Sequence, residues 1–204
     1  MSGHGGGWAN PAPAGLLALA IACFTFYAVL GGKVDHSCIP LLGCWLLGGA
    51  MVQYTVAIIE LKEGATTGGN VFLFFSAFFM LVGGIEFILK YLILANGWPA
   101  VDARIDGYAW CALWFGLWLW TPAYFKSPLV MTFVVLALDI AVPIVALQDL
   151  QAIGHEYAGV AANFLGLAGV GGIYVASAII LNTEFGRAVL PMPGPIIKPK
   201  NIAA

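Results

Sequence analysis

The sequence predicts an all-α integral membrane protein built from six transmembrane helices, and three observations lead there. Of 204 residues, 61% are hydrophobic and 9% charged, with a mean hydropathy of +0.94; an ordinary soluble domain carries about a quarter of its residues charged. The apolar residues gather in six continuous runs, each near or above the roughly 20 residues that a helix needs to cross the hydrocarbon core. Glycine, proline or charge closes every run. A membrane β-barrel would show short alternating strands instead.

The first run, residues 14–32, opens with WANPAPAG. Proline is tolerated in a helix's first turn, where N–H groups lack intrahelical partners, and the residue before proline avoids the helical region. Asn10 and Ala12 are therefore expected to be extended, with the regular helix starting near Pro13 or Ala14. Two readings of this start stand side by side. In one, Asn10 caps a helix at the membrane surface. In the other, free N–H groups and the positive dipole end form an anion site that Gly15 leaves open to approach.

GKVDHS separates the second run, residues 39–59, and LKEGATTG the third, residues 69–95. In the third, Glu86 and Lys90 stand four apart in the order that favours a helical ion pair. NGWPAVDARIDG precedes the fourth run, residues 108–125, where Trp110, Trp114 and Trp118 share a face. A lipid-facing or intersubunit surface is expected there rather than an aromatic cage, and Trp98 reads as an interface anchor. The Lys126–Ser127 pair leads to residues 128–150, and QAIGHE to residues 157–182. In the last run Ala158, Ala162 and Gly166, and again Ala168, Gly172 and Ala176, recur every fourth residue and permit close helix contact.

Residues 1–9 are expected as a flexible tail, 10–190 as one six-helix domain, and 191–204 as a cytoplasmic tail. The N-terminus MSGHGGG has no Lys or Arg and does not resemble a secretory signal. Six spans put both termini on one side, with Lys62, Lys126, Arg187, Lys198 and Lys200. The other side has Lys33 and Arg104, with Lys90 near a helix end. This bias favours cytoplasmic termini. A net charge of −2 offers no basic surface to nucleic acid. Cys23, Cys38, Cys44 and Cys111 form no C-x-x-C pair, and His4, His36 and His155 are scattered, so neither a disulfide framework, a metal site nor a cofactor is expected. No nucleophile–base pair or phosphate loop suggests an enzyme.

Asp139 is an ionisable residue in the middle of a span, VVLALDIAVPIV, and such a charge asks for a reason. Pro143 deprives its backbone carbonyl of the usual helical partner. Either the carboxyl is held by a neighbouring helix, or it couples transport to protons. Gln53, Asn163, Tyr54, Thr55, Ser76 and Tyr174 are polar residues for helix contacts or a path lining. Glu60 and Glu184 are expected to hold loops through basic neighbours.

Asn10-Pro-Ala-Pro-Ala-Gly15-Leu16 resembles the N-P-x-P-x-G-L signature of the acetate uptake transporter family, and Asn182-Thr-Glu-Phe-Gly-Arg-Ala-Val-Leu-Pro191 resembles its second motif. Gln53, Glu60 and the Lys62–Gly64 turn also fit. The resemblance, over roughly residues 8–191, implies a homohexameric transporter or channel for small monocarboxylates such as acetate, with a path in each protomer. It places substrate contacts at Asn10, Pro11, Pro13, Gly15, Leu16 and Gln53. It places the constriction at Leu19, Phe75 and Leu138. The family pattern has an aromatic at the first of these and tyrosine at the second, so a wider, drier gate is expected here. The alternatives are a channel for a neutral or cationic solute such as an amide or ammonia, and a non-transporting subunit of a membrane complex.

Overall fold

The computed structural model describes residues 7–198, and the regular elements among them are all helical. Six long helices follow one another: α1 (Ala12–Leu30), α2 (Ile39–Lys62), α3 (Thr66–Ala95), α4 (Arg104–Tyr124), α5 (Leu129–Asp149) and α6 (Ala158–Phe185). Short 3₁₀ turns, His36–Cys38 and His155–Tyr157, lead into α2 and α6. His4, Lys200 and most of the expected N-terminal tail lie outside the described residues.

Helix starts differ from expectation where tertiary partners decide them. Ala12 is already helical although Pro13 follows it. Asn10 Oδ1 accepts the Ala12 N–H at 3.0 Å, and Pro11 O accepts that of Ala14 at 3.1 Å. The turn therefore closes around two prolines whose missing donors are ones a first turn leaves unpaired. α3 starts at Thr66 because two glycines of its first turn lie flat on α2. A Cβ on Gly69 would come within 2.6 Å of Leu61, and one on Gly68 would overlap the Glu60 carboxylate.

Five helices are long and apolar enough to cross a membrane, and the chain is a multi-pass membrane protein. α4 falls short by composition because its sequence, RIDGYAWCALWFGLWLWTPAY, mixes charge with tyrosine and tryptophan. It nevertheless packs along α5. The helices form a ring in the order α3, α2, α1, α6, α5, α4, with α3 and α4 meeting only briefly. Both small-residue stripes of α6 face α1. A Cβ on Gly172 would stand 3.3 Å from the Leu16 carbonyl, and one on Gly166 would stand 3.2 Å from the Tyr27 ring.

At the far end of the ring, Lys90 pairs chiefly with Asp106 of α4, while the expected partner Glu86 lies 4.0 Å away. Asp106 faces α3 from the first turn of α4, so the charge ties two helices rather than two turns of one. In the loop before α4, hydrogen bonds from Arg104 hold the exposed Asp102 carboxyl down to about 2.

The second motif is a reversal of the chain. Gly186, at φ +60°, ends α6 in the left-handed conformation that glycine tolerates. Asn182 Oδ1 then accepts from the amides of Val189 and Leu190, and its Nδ2 donates to the Leu190 carbonyl. Residues 191–198, expected as a tail, run back across the α4–α5 turn. Pro193 O accepts from Leu129 N at 3.0 Å, Ile197 N donates to Phe125 O at 2.8 Å, and Tyr174 Oη donates to Pro191 O at 2.7 Å.

Candidate functional site

Leu19 of α1, Phe75 of α3 and Leu138 of α5 meet inside the ring. All three are at most 8% exposed, and all three line both of two interior cavities. They are thus the shared wall between the two. The larger cavity, about 360 Å³, runs from this wall to Ala65, Ser127, Pro128 and Met192, at the end where α1 begins and α6 ends. The smaller, about 30 Å³, continues past the wall towards Phe26, Phe79 and Val145.

The space beyond the wall is lined by apolar side chains and is narrow. A void of that size holds about one water at most. The bulk absent at Leu19 is supplied one or two turns on by aromatic rings. Phe79 packs 5.4 Å from Phe26, 5.9 Å from Phe75 and 5.4 Å from Trp110, centroid to centroid. Phe75 and Phe79 point inward together because residues four apart share a helical face; they lie where α3 widens to a π-helix over Phe75–Val82, and such turns are frequent at functional sites.

The N-terminal motif contributes differently from the anion site envisaged for it. Pro11 and Pro13 have no N–H, and those of Ala12 and Ala14 are already bonded. Asn10 is exposed and occupied with Ala12. The space beside Gly15 belongs to Phe72, whose ring would stand 2.7 Å from an added Cβ. The first turn is therefore a packing device with few donors to offer. Leu16 and Gln53 do line the larger cavity. Gln53 is 1% exposed; its Nε2 donates to the Gly15 carbonyl at 3.2 Å, and its Oε1 has no partner among the described residues.

Asp139 faces α4, away from both cavities. Its Oδ2 accepts from Thr121 Oγ1 at 2.8 Å. The backbone carbonyl that Pro143 leaves free accepts from Trp118 Nε1 at 2.9 Å. The helix–helix reading of Asp139 thus fits the geometry, and its neighbour Leu138 takes the inward position because adjacent helical residues point about 100° apart. The tryptophan stripe correspondingly turns partly inward: Trp110 borders the small cavity and Trp118 clamps α5. Asn163 and Tyr54 are exposed, and Thr55 and Ser76 bond back to their own helices.

Glu60 was expected to brace a loop. Instead it is 8% exposed, lines the larger cavity and has an unpartnered Oε2. Its neighbour Lys62 lies over the Trp8 ring at 4.7 Å. The spacing held a signal: Gln53 and Glu60 are seven apart, two helical turns on one face.

No protein-family model matches the chain. It is 28% identical over 196 residues to the succinate-acetate/proton symporter SatP of Escherichia coli K12, covering 90% of this chain and 95% of that protein. The same figures hold for the SatP proteins of Escherichia coli O157:H7 and Shigella flexneri. A solved structure, that of the bacterial acetate channel SatP, matches with a TM-score of 0.77 at 22% identity. The match covers 91% of this chain and 99% of that one.

Proposed function

We infer that this protein, a member of the acetate uptake transporter family, passes small monocarboxylates such as acetate through the middle of its own helical ring. The observation that carries the reading is the Leu19–Phe75–Leu138 wall shared by two interior cavities. Similarity to SatP proteins over nine-tenths of the chain supplies the substrate class. The protein is a transporter or channel, not an enzyme.

The larger cavity is the collecting chamber. Its polar groups include the Gln53 amide and the hydroxyls of Thr67, Tyr124 and Ser127, which replace part of the water around a carboxylate. The neck then discriminates by size and hydration. Removing an ionised carboxylate from water without compensation is far costlier than the several kcal/mol for a neutral polar group. A solute must therefore cross small, nearly dry, and neutralised or compensated. Both termini are assigned to the cytoplasm, so the larger cavity is the inner one, and the assembly is a homohexamer with one path per protomer.

Purified protein in liposomes should carry labelled acetate faster than protein-free vesicles. Acetamide, a neutral isostere, should gain little, which separates this reading from an amide or ammonia channel. Absence of acetate flux under any gradient overturns it.

A further inference from the structure

Glu60 is a buried carboxyl inside the collecting chamber with no hydrogen-bond partner for Oε2. It sits in the last turn of α2, against Gly68 of α3, where any side chain would collide with it. The ion pairs among the described residues lie elsewhere, at Lys90 and Arg104. The elements packed around the chamber present it with one further ionisable group, the Tyr124 phenol from α4. Its lining from α1, α3, α5, α6 and the returning C-terminal segment is apolar or uncharged. On α2 itself, Lys62 is engaged with the Trp8 ring and Glu63 Oε1 accepts from Trp8 N. Among the described residues, therefore, no cation lines the chamber.

A carboxylate entering this space meets a second carboxyl with nothing positive to separate them. Two carboxylates sharing such a site do not both stay ionised; one proton is held between them. The cost of taking a naked anion through the neck then decides where that proton goes.

We propose that Glu60 is the group that hands a proton to the substrate: an acetate-like anion pairs with the Glu60 carboxyl in the larger cavity and enters the neck as the neutral acid. The O–H bond at Glu60 breaks, one forms on the substrate oxygen, and Glu60 is left ionised. Water at the cavity mouth returns the proton to it. This assignment rests on the transport reading above, and it gives the coupling role to Glu60 rather than to Asp139.

The test is exchange of labelled acetate across liposomes at pH 6, 7 and 8, with equal pH on both sides, for wild type and Glu60→Gln. Wild-type exchange should fall with rising pH, approaching about tenfold per unit where one proton limits the step; Glu60→Gln should exchange about tenfold or more slower at each pH. Glu60→Gln exchange at the wild-type rate overturns the assignment alone. Absence of wild-type exchange overturns the transport reading and this assignment with it. If Glu60→Gln is folded but silent, Glu60→Asp decides: exchange restored with its slope supports the role, and continued silence makes Glu60 structural and overturns it. Infrared difference spectra with acetate should show a protonated-carboxyl band that Glu60→Gln loses; a band unchanged in that variant also overturns the assignment.

Discussion

Leu138→Ala tests the neck most directly. Leu138 is 6% exposed and borders both cavities, so truncation joins the larger chamber to the void beyond it. Core Leu→Ala changes cost about 2–5 kcal/mol, rising with the cavity they leave. A side chain already facing empty space on two sides has fewer contacts to lose, which puts this one near the lower end, about 2–3 kcal/mol. The opening admits another water beside the solute. A hydrogen bond to the neutral acid is worth about 0.5–1.5 kcal/mol, and each ~1.4 kcal/mol off a barrier is tenfold in rate. Acetate flux through Leu138→Ala should therefore rise about two- to tenfold, with butyrate gaining more than acetate. Liposome flux of both acids, beside thermal unfolding in detergent, reads the two effects separately. Leu136→Ala, on the face of α5 that borders an outer groove, is the control and should leave flux alone. A folded Leu138→Ala with unaltered flux and an unaltered acetate-to-butyrate ratio refutes the reasoning.

Leu19→Phe, which restores an aromatic beside Phe75, should lower flux and sharpen selection against longer acids in the same assay. Asp139→Asn should keep the wild-type pH profile of acetate exchange, because its carboxyl bonds to Thr121 away from the path; a flattened profile contradicts that placement. Trp118→Phe leaves the Asp139 carbonyl without a donor and should cost about 1–3 kcal/mol, read as a lowered midpoint of thermal unfolding. Asn182→Ala removes three hydrogen bonds that hold the returning segment; limited proteolysis should then cut near residues 187–198 faster.

The helices were legible because a membrane span declares itself by length and continuous apolarity, properties of the chain alone. Their starts were not, because Thr66 begins α3 only once Gly68 and Gly69 have found Glu60 and Leu61 on α2. Direction was harder still. Leu138 and Asp139 are neighbours, and nothing in a stretch hydrophobic on nearly every side states which one looks inward. Trp118, 21 residues before Asp139 in another helix, settles it by taking the carbonyl that Pro143 frees. Lys62 two residues after Glu60 suggested a surface pair, but a cation satisfied by the face of Trp8 leaves the acid to the interior.

The same logic changes what the proline motif is for. Bare amides would attract anions into such a chamber, yet a buried donor left unpaired whenever the chamber is empty is itself costly. Two prolines remove donors at the start of α1, and Asn10 and the Pro11 carbonyl occupy those of Ala12 and Ala14. Gly15 then lets Phe72 press against the helix while its carbonyl holds the Gln53 amide. Gly15→Ala separates packing from anion binding as the motif's purpose. It keeps every backbone N–H but drives a methyl into Phe72, so the packing account expects a loss of about 1–3 kcal/mol in stability, with flux changing only as the α1–α2–α3 contact loosens. An undisturbed melting point with acetate binding abolished would instead return the anion site to the helix start.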